Sequence, residues 1–440
     1  MTTRSRKSRL LHAVGGVVLT VALLVGFLVL GSSRTTAQLN PRPPGTDQPL
    51  VAAPYGTGKL AVAVVLGATG TTGTDAMGPY EAFAHSPRFT VFTVAERRTV
   101  APVEGGPGIF PARTFDEVTP AADVVVVPAL NEAEAPAEKP LRDFVRAQAQ
   151  AGAMVLGVCH GARVLAAAGL LDGREATSHW SRLAQLERDH PKVDWVANRR
   201  YVDAGAITTT AGITSGIAGA LHLVDRLAGP AEAERVEREV GYPGWSPQAS
   251  TRLPDRSFGL KDAPVLLSAA VPWGRPTVGI ELRDGVGETD VAAAFEVHTV
   301  ASDARAVGLA HRGWVTTRHG MVLVVGHPRH LDRRATLPVT GNGPGFQGAL
   351  DRLSRTAGTA AARSAAKMVD YPYEPGGGST VHWDGARATV LAATVLLLLL
   401  VLVVAPPRVR RRRSGRSGRK AAQPRATSAV SRRAGRDGSR

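Results

Sequence analysis

Four consecutive valines at 124–127 set the strictest limit on the fold. Valine at every position fits an extended strand covered on both faces, because a strand with one wet face alternates apolar with polar residues. Three more short apolar runs share this character: 59–66 (KLAVAVVL), 88–95 (RFTVFTVA) and 153–158 (AMVLGV). Helical patterns at 76–84, 141–151 and 161–168 fall between or after them. A hairpin is expected over 193–203, a further strand over 206–210 and a helix over 214–227. Strands alternating with helices predict an α/β class with a parallel sheet flanked by helices.

Such sheets bind ligands beyond the carboxyl ends of their strands. Cys159 falls at that edge, directly after the 153–158 run, and it is the only cysteine in 440 residues. One cysteine excludes an intramolecular disulfide framework and any CxxC metal site. Gly157 and Gly161 allow a sharp strand-to-helix elbow that exposes one side chain. The new helix points its N-terminal amides at the thiol, an arrangement expected to favour thiolate. His160 beside it is a candidate general base or proton shuttle. Free cysteine is also commonly a small buried hydrophobe, and that reading stays open at this stage.

The segment GVCHGARVLAAAGLLDGREATSHW (157–180) resembles the nucleophile elbow of the PfpI superfamily, which has the class I glutamine amidotransferase-like, flavodoxin-like fold. It is most similar to the amidase-like domain of AraC-type regulators and to isonitrile hydratases. TGTDAMGPYEAF (72–83) resembles the first-loop motif of that subgroup, and 206–229 its late strand and helix; together the resemblance covers 58–248. It implies Cys159 as nucleophile, His160 as the residue after it, and Asp75 as the acid that contacts the thiol. Asp75 could equally cap the following helix. The backbone N–H of His160 is an expected oxyanion donor. Three departures stand out. Ala129-Leu130 replaces the usual Gly-Gly, no late His-x-Glu pair completes a glutaminase triad, and no helix-turn-helix follows. His179, in TSHW, matches a subgroup feature but reads as a capping or core histidine. The loop GATGTTG (67–73) lacks nucleotide-binding spacing. No cofactor and no metal are expected, and His311, His319, His327 and His330 lack ligand spacing.

Residues 276–372 look like a degenerate repeat of the first unit. Asp75 and Glu81 are six apart, as are Asp290 and Glu296. GALHLVDRLAG, from Gly219, parallels GALDRLSRTAG, from Gly348, and each run precedes a Tyr-Pro pair by the same distance. The second copy lacks the elbow and has no cysteine. An intact unit packed on a truncated copy, an intramolecular pseudo-dimer, is expected.

The charge of +16 belongs to the ends. Four basic residues lie in 1–9 and thirteen in 406–440, leaving 36 of each sign between them. A neutral body argues against nucleic acid as partner. Two uncharged apolar runs, 10–30 and 388–405, adjoin those clusters and are long enough to read as transmembrane helices. The positive-inside rule then places both termini in the cytoplasm and the globular body outside it, at the cell membrane. A cleaved signal peptide is the other reading of 10–30. The expected division is 1–31 basic flank and anchor, 32–57 Pro-rich linker, 58–248 amidase-like domain, 249–373 second unit, 374–387 linker, 388–405 span and 406–440 basic tail. The expected function is a membrane-anchored cysteine amidase, hydrolase or hydratase acting at a carbon–nitrogen centre of a small molecule. The alternative is a non-catalytic ligand-binding or thiol-sensing module.

Overall fold

The computed structural model describes residues 58–270, 276–301, 303–325, 336–339 and 345–375, with Ala22, Val25, Gly26, Val29 and Leu30. The first unit opens with β1 (Leu60–Val65), α1 (Gly73–Ala84) and β2 (Phe89–Ala95). Next come the short strands β3 (Gly108–Phe110) and β4 (Arg113–Thr114), then β5 (Val124–Val127) and α2 (Lys139–Gln150). β6 (Met154–Gly157) leads into α3 (Gly161–Ala167). β7 (Tyr201–Asp203), β8 (Ile207–Thr210), α4 (Ser215–Ala228) and α5 (Pro230–Val240) complete it.

Seven strands form one sheet in the order β7-β8-β6-β5-β1-β2-β4. Every neighbouring pair is parallel except the β7–β8 edge. The sheet is therefore mixed rather than wholly parallel, and the hairpin expected over 193–203 lies instead at 201–210. All four valines of β5 are fully buried. Val125 and Val127 pack with Leu141, Val145 and Leu165 of α2 and α3. Val124 and Val126 face the other core, with Met77 and Phe83 of α1 and Ile217 and Leu221 of α4. Burying such a side chain contributes roughly 1.5–3 kcal/mol, so this strand anchors both layers.

The second unit holds α6 (Ala263–Ala270), β9 (Thr277–Glu281), α7 (Glu288–Ala301) and β10 (Arg305–Leu309). After them come β11 (Trp314–Thr316), β12 (Val322–Val324), β13 (Thr336–Pro338), α8 (Gly345–Ala357) and α9 (Thr359–Met368). β9 lies between β10 and β13, parallel to both. β12 pairs antiparallel with β11 and with β3 of the first unit, so one small sheet is built from both units.

The core beside α1 and α4 continues without a break into Val291, Phe295 and Leu350 of the second unit. α1 is thus covered by the sheet on one side and by α7 on the other, and all its residues from Gly73 to Phe83 are buried. The two helices contact each other reciprocally. Thr74 Oγ1 donates to Glu296 Oε2 at 2.8 Å, and Thr289 N–H donates to Glu81 Oε2. The helix pairs α4–α5 and α8–α9 also turn alike, through Gly229 (φ 92°, ψ 162°) and Gly358 (φ 93°, ψ 154°).

The expectation of two membrane-spanning helices is corrected. Among the described residues no helix is long and apolar enough to cross a membrane. The longest, α4 and α7, have 14 residues each, about 21 Å at 1.5 Å per residue against a hydrocarbon core of ~30 Å. Of the run 10–30 only the five residues named above are described, and 388–405 lies outside the described residues. The cell-membrane location and the extracytoplasmic body rested on those spans and are withdrawn with them.

Candidate thiol site

β6 ends at Gly157, and the chain turns into α3 through Val158, Cys159 and His160. Cys159 sits in the left-handed region at φ 55°, a strained conformation for a residue with a side chain. Its own peptide groups hold the turn. Cys159 N–H donates to Thr210 Oγ1 at 3.3 Å, and the Ser178 hydroxyl donates to Cys159 O at 2.9 Å. Gly161 is required by close approach, since a Cβ there would overlap the Val127 carbonyl oxygen. The elbow expected between Gly157 and Gly161 is what the backbone forms.

The thiol is 7% exposed. Burial pushes its pKa well up, the nearby Asp75 carboxyl adds to the rise, and the His160 N–H bonded to sulfur opposes it only in part. Expectation and structure differ here. Helix α3 has seven residues, and its dipole is outweighed by the loss of water around the sulfur. The resting group is the neutral thiol.

Asp75, in the first turn of α1, is completely buried. Its Oδ2 accepts the Ala129 N–H at 3.0 Å, and its Oδ1 has no hydrogen-bond partner. Burial raises its pKa well above the carboxylate range despite the Ala129 bond, and Glu296 and Glu104 raise it further. Burial thus disfavours the charged forms of both the Asp75 carboxyl and the Cys159 thiol. The Ala129 amide, at the position of the usual Gly-Gly, is thus engaged by Asp75.

His160 follows the thiol directly in the chain. Its Nδ1 is buried without a partner. Burial, then Arg182 and Arg163, push its pKa down to about 4, so the ring is neutral near pH 7. Its backbone N–H, not its imidazole, meets the sulfur. His179 has both nitrogens engaged, Nδ1 with Ser181 Oγ at 2.8 Å and Nε2 with Met368 O at 2.9 Å. That is an anchoring histidine, as the sequence suggested.

Two residues of the second unit reach this neighbourhood and were not expected there. Glu296 lies against the start of α1 through Thr74, and burial lifts its pKa to about 7. Asp370 bears electrostatically on Cys159 and His179. The repeated Asp-to-Glu spacing was the signal for Glu296. Asp370 had none within its own segment.

A cavity of about 390 Å³ opens at the ends of β1 and β2, lined by Leu66, Gly67, Glu96, Arg97, Pro102 and Glu138. Cys159 does not line it. Nearer the thiol, a cleft between Ser178, Trp180, Arg256 and Asp370 has about 10 Å³, room for about one water. For metal ligation, Glu81, Glu288 and His319 bring donor atoms within 4.8 Å of one another among the described residues. His319 Nδ1 already meets Glu288 at 2.8 Å, and Arg318 lies 3.8 Å from Glu81. Protein side chains thus answer both carboxylates. His311 is exposed, while His327 and His330 lie outside the described residues.

Known proteins share this arrangement of sequence. The DJ-1/PfpI family matches residues 61–226. The isonitrile hydratase of Pseudomonas putida is 34% identical over 172 residues, 38% of this chain and 72% of that protein. The HTH-type transcriptional regulator GbdR of Pseudomonas aeruginosa is 36% identical over 83 residues, 19% of this chain and 22% of the regulator. Among solved structures, a THiJ/PfpI family protein from Pseudomonas syringae covers 46% of this chain and 78% of its own, at 26% identity and a TM-score of 0.39.

Proposed function

Because the chain belongs to the DJ-1/PfpI family, we propose that its 58–248 unit is an enzyme that acts on a small molecule at a carbon–nitrogen centre through Cys159. The carrying observation is the pairing at the elbow. A thiol on a strained strand-to-helix turn lies beside a fully buried carboxyl whose Oδ1 has no partner. The similarity to an isonitrile hydratase supports hydration of an isonitrile as the first reaction to test.

The chemistry balances with these residues. Sulfur adds to the terminal carbon of the isonitrile, and the thiol proton passes by way of Asp75 to that same carbon, giving a thioimidate. Water then adds across the carbon–nitrogen double bond, hydroxyl to carbon and proton to nitrogen. The carbon–sulfur bond breaks with its electron pair on sulfur, which takes the hydroxyl proton, and an N-substituted formamide leaves. A carboxyl and a thiol that burial both pushes toward their protonated forms suit this sequence, because both proton transfers start from protonated groups. The His160 N–H on sulfur steadies the charge that develops when the proton departs.

The reciprocal Thr74–Glu296 and Thr289–Glu81 contacts support reading 249–373 as a truncated copy packed on the first unit as a pseudo-dimer partner. Such a contact set is what an isologous interface gives when the two partners are fused.

One observation favours a second reading. Ala129 N–H is committed to Asp75 and the cleft by the thiol is narrow, as in a unit that binds a ligand without turnover. Formamide release from an alkyl isonitrile, followed by mass spectrometry in the wild type and in Cys159→Ala, separates the two. Turnover lost in the variant is expected. Turnover that persists removes the nucleophile, and a ligand-induced rise in melting temperature without product establishes the binding reading.

A further inference from the structure

We propose that Asp370, contributed by the second unit, is a positioning residue of the Cys159 site. The inference rests on Cys159 being the reactive group of the first unit.

Three observations converge on it. Helix α5 ends at Val240 and the chain turns through Gly241 in the left-handed region, at φ 66°. Helix α9 ends in the same way, but its left-handed position, at φ 57°, is held by Asp370. A Tyr-Pro pair follows both turns, Tyr242-Pro243 and Tyr371-Pro372. Glycine takes this conformation freely, whereas a Cβ makes it strained. The strained residue stands in the copy whose turn packs against the thiol site.

Secondly, the carboxylate is 1% exposed, with one oxygen hydrogen-bonded and the other held by charge alone. Oδ2 accepts the Gly212 N–H, and Oδ1 pairs with Arg256 at 2.6 Å. A Cβ on Gly212 would overlap that carboxylate, so the two positions are fitted to each other.

Thirdly, the turn holds both segments that hold the nucleophile. Val369 O accepts the Thr214 N–H at 2.9 Å, and Met368 O meets His179 Nε2 at 2.9 Å. Gly212 lies two residues past Thr210, which receives the Cys159 N–H. His179 follows Ser178, which donates to the Cys159 carbonyl. Asp370 thus acts on Cys159 through its neighbours and through its charge. The charged and titratable groups facing Asp370 are Arg256, His179 and Tyr242. Those facing Cys159 are Asp75 of α1, Glu296 of α7 and Asp370 itself, and all three disfavour the thiolate.

The test is the pH profile of iodoacetamide labelling in the full chain, where Cys159 is the only thiol. Wild type, Asp370→Asn and Asp370→Gly are compared, with melting temperatures measured alongside. Asp370→Gly places at this turn the residue its counterpart already has, so it is expected to stay folded. In both variants the thiol profile is expected to move to lower pH, with labelling at pH 8 faster by ~3- to 10-fold, the tenfold limit corresponding to one unit. Profiles that superimpose on wild type in a folded variant overturn the proposal. If Asp370→Gly unfolds, Asp370→Asn decides. If both unfold, Asp370 is a structural residue and the proposal fails. Labelling does not depend on isonitrile turnover, so a shifted profile without any turnover removes the enzymatic reading and leaves this one standing.

Discussion

Glu81 and Glu296 occupy matching places in α1 and α7, and each accepts a hydrogen bond from the threonine that opens the other helix. Their pKa values are shifted in opposite directions. Burial pushes Glu81 up, but hydrogen bonds from His85 and Thr289 outweigh it and hold the group below the ordinary range. Glu296 has Thr74 and, among the described residues, no cation that lowers it, Glu104 stands nearby, and burial leaves its pKa at about 7. The difference follows position. Glu81 looks toward His85 and Arg318 on the far side of the interface. Glu296 looks toward Asp75 and the thiol. The paired contact keeps its geometry on both sides, while among the described residues only the Glu81 side has cations near its carboxylate, and the Glu296 side adjoins the Cys159 sulfur.

The largest effect expected from breaking this comparison is chemical. On the proposed mechanism, Asp75→Asn is expected to lower isonitrile turnover by ~10²- to 10⁴-fold, the usual worth of a positioned acid–base group. Asp290→Asn, its counterpart in α7, leaves turnover unchanged. Equal losses in the two variants would mean that the helices contribute only structure. Next is the elbow. Gly161→Ala forces a Cβ into the Val127 carbonyl and is expected to cost about 3 kcal/mol or more, read as a shift in urea midpoint.

The two glutamates come third. Glu296 is raised in the folded state, so the folded chain binds the extra proton between about pH 4.5 and 7. Stability then falls as pH rises through that window, by up to about 3 kcal/mol. Glu296→Gln should flatten this part of the curve. Glu81 is lowered, so its contribution is present above the unfolded carboxylate pKa and is lost as pH falls through the folded one. Glu81→Gln should therefore weaken the chain at neutral pH and little at pH 4. Matching pH curves for the two variants would dissolve the contrast. The smallest effect is at the paired turns. Gly241→Asp, which gives the first unit the residue of the second, should cost about 1 kcal/mol of backbone strain, measured by thermal melting.

The main strands were legible because burial on both faces leaves no polar positions in them, as in 124–127 and 59–66. The elbow was legible because glycine on either side of a lone cysteine after such a strand has few other uses. Asp75 was placed by resemblance, and its carboxyl is buried within electrostatic reach of the sulfur. The thiol's charge was misjudged, since a sequence displays a helix start but not the depth of the sulfur beneath it. Glu296 and Asp370 act across hundreds of residues of chain, and no local pattern announces such contacts. Helix α5 carries little apolar signal, because PAEAERVEREV has only two buried positions, Ala233 and Val236. The apolar runs at 10–30 and 388–405 suggested spans through their length, lack of charge and basic flanks, and no described helix carries that reading.

The small sheet formed by β3, β12 and β11 has a consequence for how the chain reaches its native state. Gly108–Phe110 must wait for Val322–Val324, roughly two hundred residues later in synthesis, before its outer hydrogen bonds close. Until then the nascent first unit presents an open, apolar strand rim to its surroundings, the kind of surface that captures other chains. A pairing this distant is also slow to form, because loop closure precedes its reward. Chains that stall or are cut between these two segments should therefore be those that self-associate.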